Sequence, residues 1–439
     1  MLIFFRSHRD VITRSYDFSG TGFAPLPRVK QDDDQEFHWS MSLIRDIGAI
    51  YSSIFLGAVA YGILMVLIAL KLEFHVKNEI LMSFSAATQI GAGVIFSRFL
   101  PSLGRKAGMI NSIYAGTVVS AICTLLLYEY RGYFLWILII FALGTSLFTC
   151  GVTRATIMIE LAPKHVRALI ISVGNMTVAI GNAIGSVLLA MMNTHQNLSS
   201  FVVAAALFML SIFPLSRLKK IDSVVREEKK ISIWRYISNS PKIMFAGFSV
   251  SYAMSSSSAF LIIYGIKVGM PESQASLLLS VLLFGTILYL PIGYLTDLVN
   301  RRLLMITCAA LALLCVCLLY FNKNDQEIYL LLFLMFGALS GMKLPAIVLI
   351  NEKYKATQRL AVNSAFSRIG LIGNVFGLLS TGAIMKAFGA KGLWISLMII
   401  LTLFLLFCIY NYIGKAMRGE LILKDFSIRN QHLDEQVQE

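Results

Sequence analysis

Ile180-Gly181-Asn182-Ala183-Ile184-Gly185 recurs 192 residues later as Ile372-Gly373-Asn374-Val375-Phe376-Gly377. The same offset lays Glu160 on Glu352 and Arg167 on Arg359, so six identities share one spacing. A parallel internal repeat of this period marks a chain built from two similar halves. In each copy the two glycines stand about one helical turn apart, which lets a neighbouring backbone approach closely. Gly181, Gly185, Gly373 and Gly377 are therefore expected to be helix-packing seams rather than cargo contacts.

The repeat sits in a very apolar chain. Of 439 residues, 57% are hydrophobic and 14% charged, with a mean hydropathy of +0.73. A soluble chain of this size would not carry such a composition. About 20 apolar residues are needed to cross the hydrocarbon core as a helix. Twelve stretches qualify, at 47–71, 79–100, 108–128, 132–157, 168–192, 199–216, 243–267, 273–296, 303–321, 327–350, 360–385 and 393–414. The expected fold is an all-α membrane protein of twelve transmembrane helices in two parallel six-helix repeats. Loops on the side of the N-terminus, with both tails, hold 28 of the 38 lysines and arginines, whereas the opposite loops hold 7. That asymmetry predicts cytoplasmic termini.

The layout follows from the spans: a mobile cytoplasmic tail over 1–40, a first half over 41–216, a basic cytoplasmic linker over 217–242, a second half over 243–414 and a cytoplasmic tail over 415–439. The apolar run after Met1 is broken by Arg6, His8, Arg9 and Asp10, so it reads as neither a secretory signal nor a span, and Met41 is an alternative start. The net charge of +14 sits mainly in short loops where topology requires it, so no nucleic-acid partner is expected. All six cysteines lie inside the predicted spans without metal-site spacing, which argues against disulfides and zinc. No cofactor is expected. The chain is read as a monomer embedded in the bilayer, in the inner membrane if the source is bacterial.

Where the second and eighth spans reach the cytoplasm, a second feature is repeated. Gly293-Tyr-Leu-Thr-Asp297-Leu-Val-Asn-Arg301-Arg302 has Gly, three residues, Asp, three residues and two basic residues. Its first-half counterpart is Ser97-Arg98-Phe-Leu-Pro101-Ser-Leu-Gly104-Arg105-Lys106, which keeps only the Gly-Arg-Lys end. This motif resembles the loop signature of the major facilitator superfamily, and the resemblance covers residues 41 to 415 through helix number, half boundary and basic central loop. It implies an electrostatic latch on the cytoplasmic gate, formed by Asp297, Arg301 and Arg302. Arg301 is then expected to pair with Glu352, and Arg105 with Glu160. With Pro101 in place of the acid, the first-half latch is expected to be the weaker.

A charge at the centre of a span costs roughly 2.5–3.5 kcal/mol on insertion scales. Lys343 and Arg368 nevertheless fall within spans ten and eleven, and Arg154 lies nearer the cytoplasmic end of span four. No Asp, Glu or His lies near the middle of any span. An intramembrane cation without an acid is best satisfied by an anionic ligand in a wet cavity. Lys343, Arg368 and Arg154 are thus candidate substrate contacts. Tyr252, Ser255 and Tyr264 on the hydroxyl-rich span seven join them, with Gln89, Thr149, Asn175 and Asn363 as weaker candidates. Lys343 and Arg368 have neutral counterparts at the 192 offset, which points to the second half as the seat of recognition.

These readings converge on a secondary carrier of a small organic anion, a carboxylate or phosphate metabolite or a carboxylate metal chelator, working by alternating access with a co-transported or exchanged ion. The main alternative is an exporter of lipophilic or cationic drugs. That reading lacks both an intramembrane acid and the Gly-Pro signature carried by the family's drug antiporters, Gly181-Asn182-Ala183 standing in its place. An enzyme or a membrane-embedded sensor is a distant alternative, because the six histidines are scattered through tails and loops and no catalytic constellation forms.

Overall fold

The computed structural model describes residues 41–97, 99–161, 167–192, 197–217, 238–322, 325–354 and 356–417. The tail at 1–40 and most of the linker and C-terminal tail lie outside the described residues. The described elements are helices, the form that satisfies backbone groups where lipid offers no partner.

Spans one to six are Met41–His75, Glu79–Phe96, Met109–Leu126, Tyr133–Leu161, Arg167–Met191 and Leu198–Leu210. Span seven is Pro241–Lys267, followed by span eight in three pieces, Glu272–Phe284, Gly285–Leu288 and Tyr289–Leu298. Spans nine to twelve are Arg301–Phe321, Asp325–Lys353, Ala356–Phe388 and Gly392–Met417. Among the described residues eleven apolar stretches are long enough to cross a membrane. The last, Val362–Tyr410, contains two helices separated at Gly389–Lys391, which makes twelve spans. Spans one, ten and eleven run past their expected limits, because apolar length marks the lipid-crossing portion and polar residues continue a helix beyond it. Span eight narrows to a 3-10 turn at Gly285–Leu288 ahead of Pro291, which lacks the N–H that a regular α-helical turn needs there.

Local sequence sets several helix starts. The Asn78 side chain accepts from the Ile80 N–H at 3.1 Å, and Asn300 accepts from the Arg302 N–H at 3.0 Å, capping spans two and nine. A short helix, Leu100–Ala107, joins spans two and three and turns at Gly108, whose φ of 82° suits glycine. Both described ends lie on one side of the even-numbered bundle, the terminal side. The opposite side is the far side.

The halves are assembled on matching seams. A Cβ placed on Gly181 would lie 2.6 Å from that of Ala58, and one on Gly185 would lie 2.2 Å from the Val59 carbonyl oxygen. A Cβ on Gly62 would lie 2.2 Å from the Asn182 carbonyl oxygen. In the second half, Cβ atoms on Gly373 and Gly377 would lie 2.5 and 2.7 Å from the carbonyl oxygens of Phe248 and Tyr252. Spans one and five, and spans seven and eleven, therefore touch backbone to backbone.

Between the halves, span two packs on span eleven and span five on span eight. The closest contacts are toward the far side. Ser280 donates to Ser186 at 2.8 Å, and a Cβ on Gly382 would lie 2.4 Å from that of Ser83. The buried apolar side chains divide accordingly. One group runs from the far part of the first half through the second half, and a smaller one, including Ile50, Ile113, Ile157 and Leu215, stays within the terminal part of the first half. Large apolar side chains such as Phe134, Leu138, Leu314, Leu318 and Leu406 are exposed, as a surface facing lipid requires.

Gly62→Ala should lower the thermal unfolding midpoint in detergent, by the ~1–3 kcal/mol typical of overpacking. Gly48→Ala, where a Cβ meets nothing within 4 Å, should leave it unchanged.

Candidate functional site

A cavity of about 490 Å³ opens among spans one to six, with Leu371 and Asn374 of span eleven on its remaining wall. Five glycines are among its lining; a Cβ on Gly151 would meet open space, whereas Gly57, Gly93, Gly144 and Gly174 stand where a Cβ would press on Arg154, Phe148, Gln89 and Met158. It lies on the terminal side of the contacts that join the halves, and Gly151, Ala155 and Asn175 on its wall are exposed. Ile90, Leu147, Phe148, Met158 and Phe208 give it apolar sides.

Arg154 is the charged residue among those lining the cavity. It projects from span four beneath span one, where a Cβ on Gly57 would come within 3.1 Å of its Nη1. Its Nη2 donates to the Ser211 hydroxyl at 3.3 Å, and its Nε–H is buried without a partner. No carboxylate pairs with it among the described residues. Two further residues of the lining carry unmatched atoms. Gln89 Nε2 and Asn182 Oδ1 are buried without a hydrogen-bond partner. Leaving a buried donor or acceptor unmatched costs about 1–3 kcal/mol, more if charged.

Tyr61 and Gln89 also line a second cavity of about 70 Å³, deeper toward the far side. Its walls come from both halves, with Ser85 and Met82 on one side and Ser258, Phe260 and Ile263 of span seven on the other. The two cavities thus share Tyr61 and Gln89 as a common wall.

The other expected contacts are distributed differently. Lys343 is half-buried in span ten and has no hydrogen-bond or ion-pair partner among the described residues, but it does not line the large cavity. Arg368 is exposed on span eleven and likewise lies outside the cavity lining. The open volume is in the first half, where the glycines are, so Arg154 supplies its charge.

Several of span seven's hydroxyls are engaged in packing. Tyr252 is buried, its hydroxyl within 2.7 Å of the Ser380 and Ser396 hydroxyls. Thr381 continues the network to Ser396 at 2.6 Å and to Ser256 at 2.9 Å. Ser255 donates to the Tyr252 and Asn374 carbonyls, both at 3.2 Å. Tyr264 is buried edge-on against Trp394, with centroids 4.9 Å apart. These bonds tie spans seven, eleven and twelve together.

On the terminal side, Arg301 donates to the Glu352 carboxylate and, through Nε, to the Thr296 carbonyl at 3.2 Å. Arg302 is exposed beside its capping Asn300, and Glu160 is exposed at the end of span four. The side chains of Arg105 and Asp297 lie outside the described residues.

Sequence reasoning underweighted Asn182 and Asn374, which appeared as parts of the packing repeat. Both line the cavity, and the available signal was an amide retained in an apolar span.

A family model described as Major Facilitator Superfamily matches residues 243–415. No curated protein sequence matches the chain. Among solved structures, a POT family transporter in complex with a thioalcohol-conjugated peptide has a TM-score of 0.70 at 11% identity, covering 85% of this chain and 96% of that one. A bacterial homolog of the human lysosomal transporter Spinster, inward-facing and unoccupied, has 0.67 at 13%, covering 84% and 96%. The nucleoside transporter NupG has 0.65 at 13%, covering 83% and 97%. At such identities the likeness establishes the fold, and the cargo of each remains its own.

Tyr252→Phe removes two buried hydroxyl contacts and should destabilise the protein by about 1–2 kcal/mol in thermal unfolding, with ligand affinity unchanged. A change in affinity without a loss of stability would assign Tyr252 to the binding site instead.

Proposed function

We propose that this chain, whose second half matches the Major Facilitator Superfamily, is a multi-pass membrane transporter of small solutes that carries an organic anion recognised by Arg154. The carrying observation is electrostatic. One guanidinium, short of partners, is the charged group of a largely apolar cavity. A buried cation without a counter-charge is costly, and a carboxylate or phosphate supplies both the charge and the planar or bidentate hydrogen bonds that Arg favours.

The remaining contacts follow from what is unsatisfied. Gln89 donates to, and Asn182 accepts from, polar groups next to the anionic head, while Phe148, Leu147 and Ile90 take the apolar body. Lys343 supplies a second positive charge on the opposite half, and Arg368 a third on span eleven. Transport proceeds by rocking of the halves about the bound solute. The excess of lysine and arginine on the terminal side makes that side the cytoplasm, so the cavity loads or empties there. An ion moving with the solute, or a second anion exchanged for it, balances the cycle. The apolar wall also suits a lipophilic compound, which is why the test must offer both kinds of ligand.

The test is a thermal-shift screen of purified protein with anionic and cationic libraries, because a ligand that binds the folded state raises its stability. Carboxylates or phosphates should raise the midpoint of the wild type. Arg154→Ala should weaken that ligand at least about tenfold, in keeping with the ~1.5–3 kcal/mol of a hydrogen bond to a charged group, with Arg154→Lys intermediate. Shifts produced by cations alone, or anion shifts that persist undiminished in Arg154→Ala, would overturn the reading.

A further inference from the structure

The far ends of the two halves carry opposite charges where they meet. Lys267, in the last turn of span seven, pairs with Glu79 in the first turn of span two. Its ammonium also lies 4.0 Å from Glu73 near the end of span one. Lys386 of span eleven adds a second positive charge close to Glu79. Two acids of the first half thus face two lysines of the second. Lys77 stands near Glu73 within the first half, in a turn with a φ of 48°.

These groups are only partly open to solvent: 23% of the Lys267 side chain is exposed, 12% of Glu79 and 14% of Glu73. Such a pair is screened less than a surface one. Glu73 has one oxygen buried without a hydrogen-bond partner, so its hold on the second half runs through Lys267. Beneath the charges the halves touch through small groups, Gly382 against Ser83 and Ser280 against Ser186, which separate without withdrawing a bulky side chain from a socket. The pairing of Arg301 with Glu352 stays within the second half, and the bond from Lys353 to the Asn239 carbonyl ties it to the end of the linker.

We infer that Lys267, with Glu79 and Glu73, is the latch that holds the far side of the path shut, and that its rupture opens the carrier to that side. The position fits what it covers. Directly inside lies the small cavity lined by Ser258 and Phe260 of one half and Tyr61 and Gln89 of the other, and the last two also wall the large cavity. The order from the terminal side is then large cavity, Tyr61–Gln89 wall, small cavity, latch.

The test needs no substrate, so its outcome is independent of the anion assignment. Ser258→Cys places a reporter in the small cavity of the full-length protein, reconstituted in vesicles and probed with a membrane-impermeant thiol reagent from the far side. The protein without Ser258→Cys gives the background from the six native cysteines. Lys267→Gln should raise the labelling rate at least about fivefold, the lower range of typical conformational couplings. Glu79→Gln should do the same. Thermal midpoints measured in parallel separate gating from loss of fold. Unchanged far-side labelling in both single variants at retained stability overturns the latch.

Discussion

Close backbone approach between helices is the constraint on which this protein rests. Lipid tails are as apolar as leucine, so apolar surface alone does not drive one transmembrane helix onto another. Packing contacts must do it, and these require that nothing intervene between backbones. Gly62, Gly181 and Gly185 provide this between spans one and five, as Gly373 and Gly377 do between spans seven and eleven. Each seam fixes a pair of helices as a unit, and the two seams use glycines at corresponding places of the repeat.

The halves then diverge in how they use polar groups. In the second half, the hydroxyls of Tyr252, Ser256, Ser380, Thr381 and Ser396 satisfy one another and stiffen the contact among spans seven, eleven and twelve. In the first half, Gln89, Arg154 and Asn182 leave atoms unmatched around an open volume. A satisfied network stiffens the helices that share it.

What could be read from the sequence was what depends on local spacing. Apolar length located the spans, the 192-residue offset revealed the repeat, and the charge order around Arg301 and Glu352 anticipated neighbours that the structure joins. The cavity was less legible because it is what remains after packing. A run of serines looks alike in a sequence whether its hydroxyls bond to each other or face water. Lys343 and Arg368 stood out by depth in their spans, whereas Arg154 drew less notice near a helix end. Only the gap beneath Gly57 makes Arg154 the charge that lines the open space. Likewise, Lys267 and Glu79 are far apart in the chain and at the ends of their spans, so nothing local announces their pairing.

The wall that Tyr61 and Gln89 share between the two cavities has an electrical consequence for the proposed carrier. Water entering the large cavity would carry the potential of the terminal side toward that wall, so more of the membrane voltage would fall across the closed far portion. An anion bound at Arg154, as proposed, would then meet most of the field only when carried onward, at about 2.3 kcal/mol per unit charge at 100 mV. The step of the cycle at which membrane potential acts would follow from the depth of that cavity.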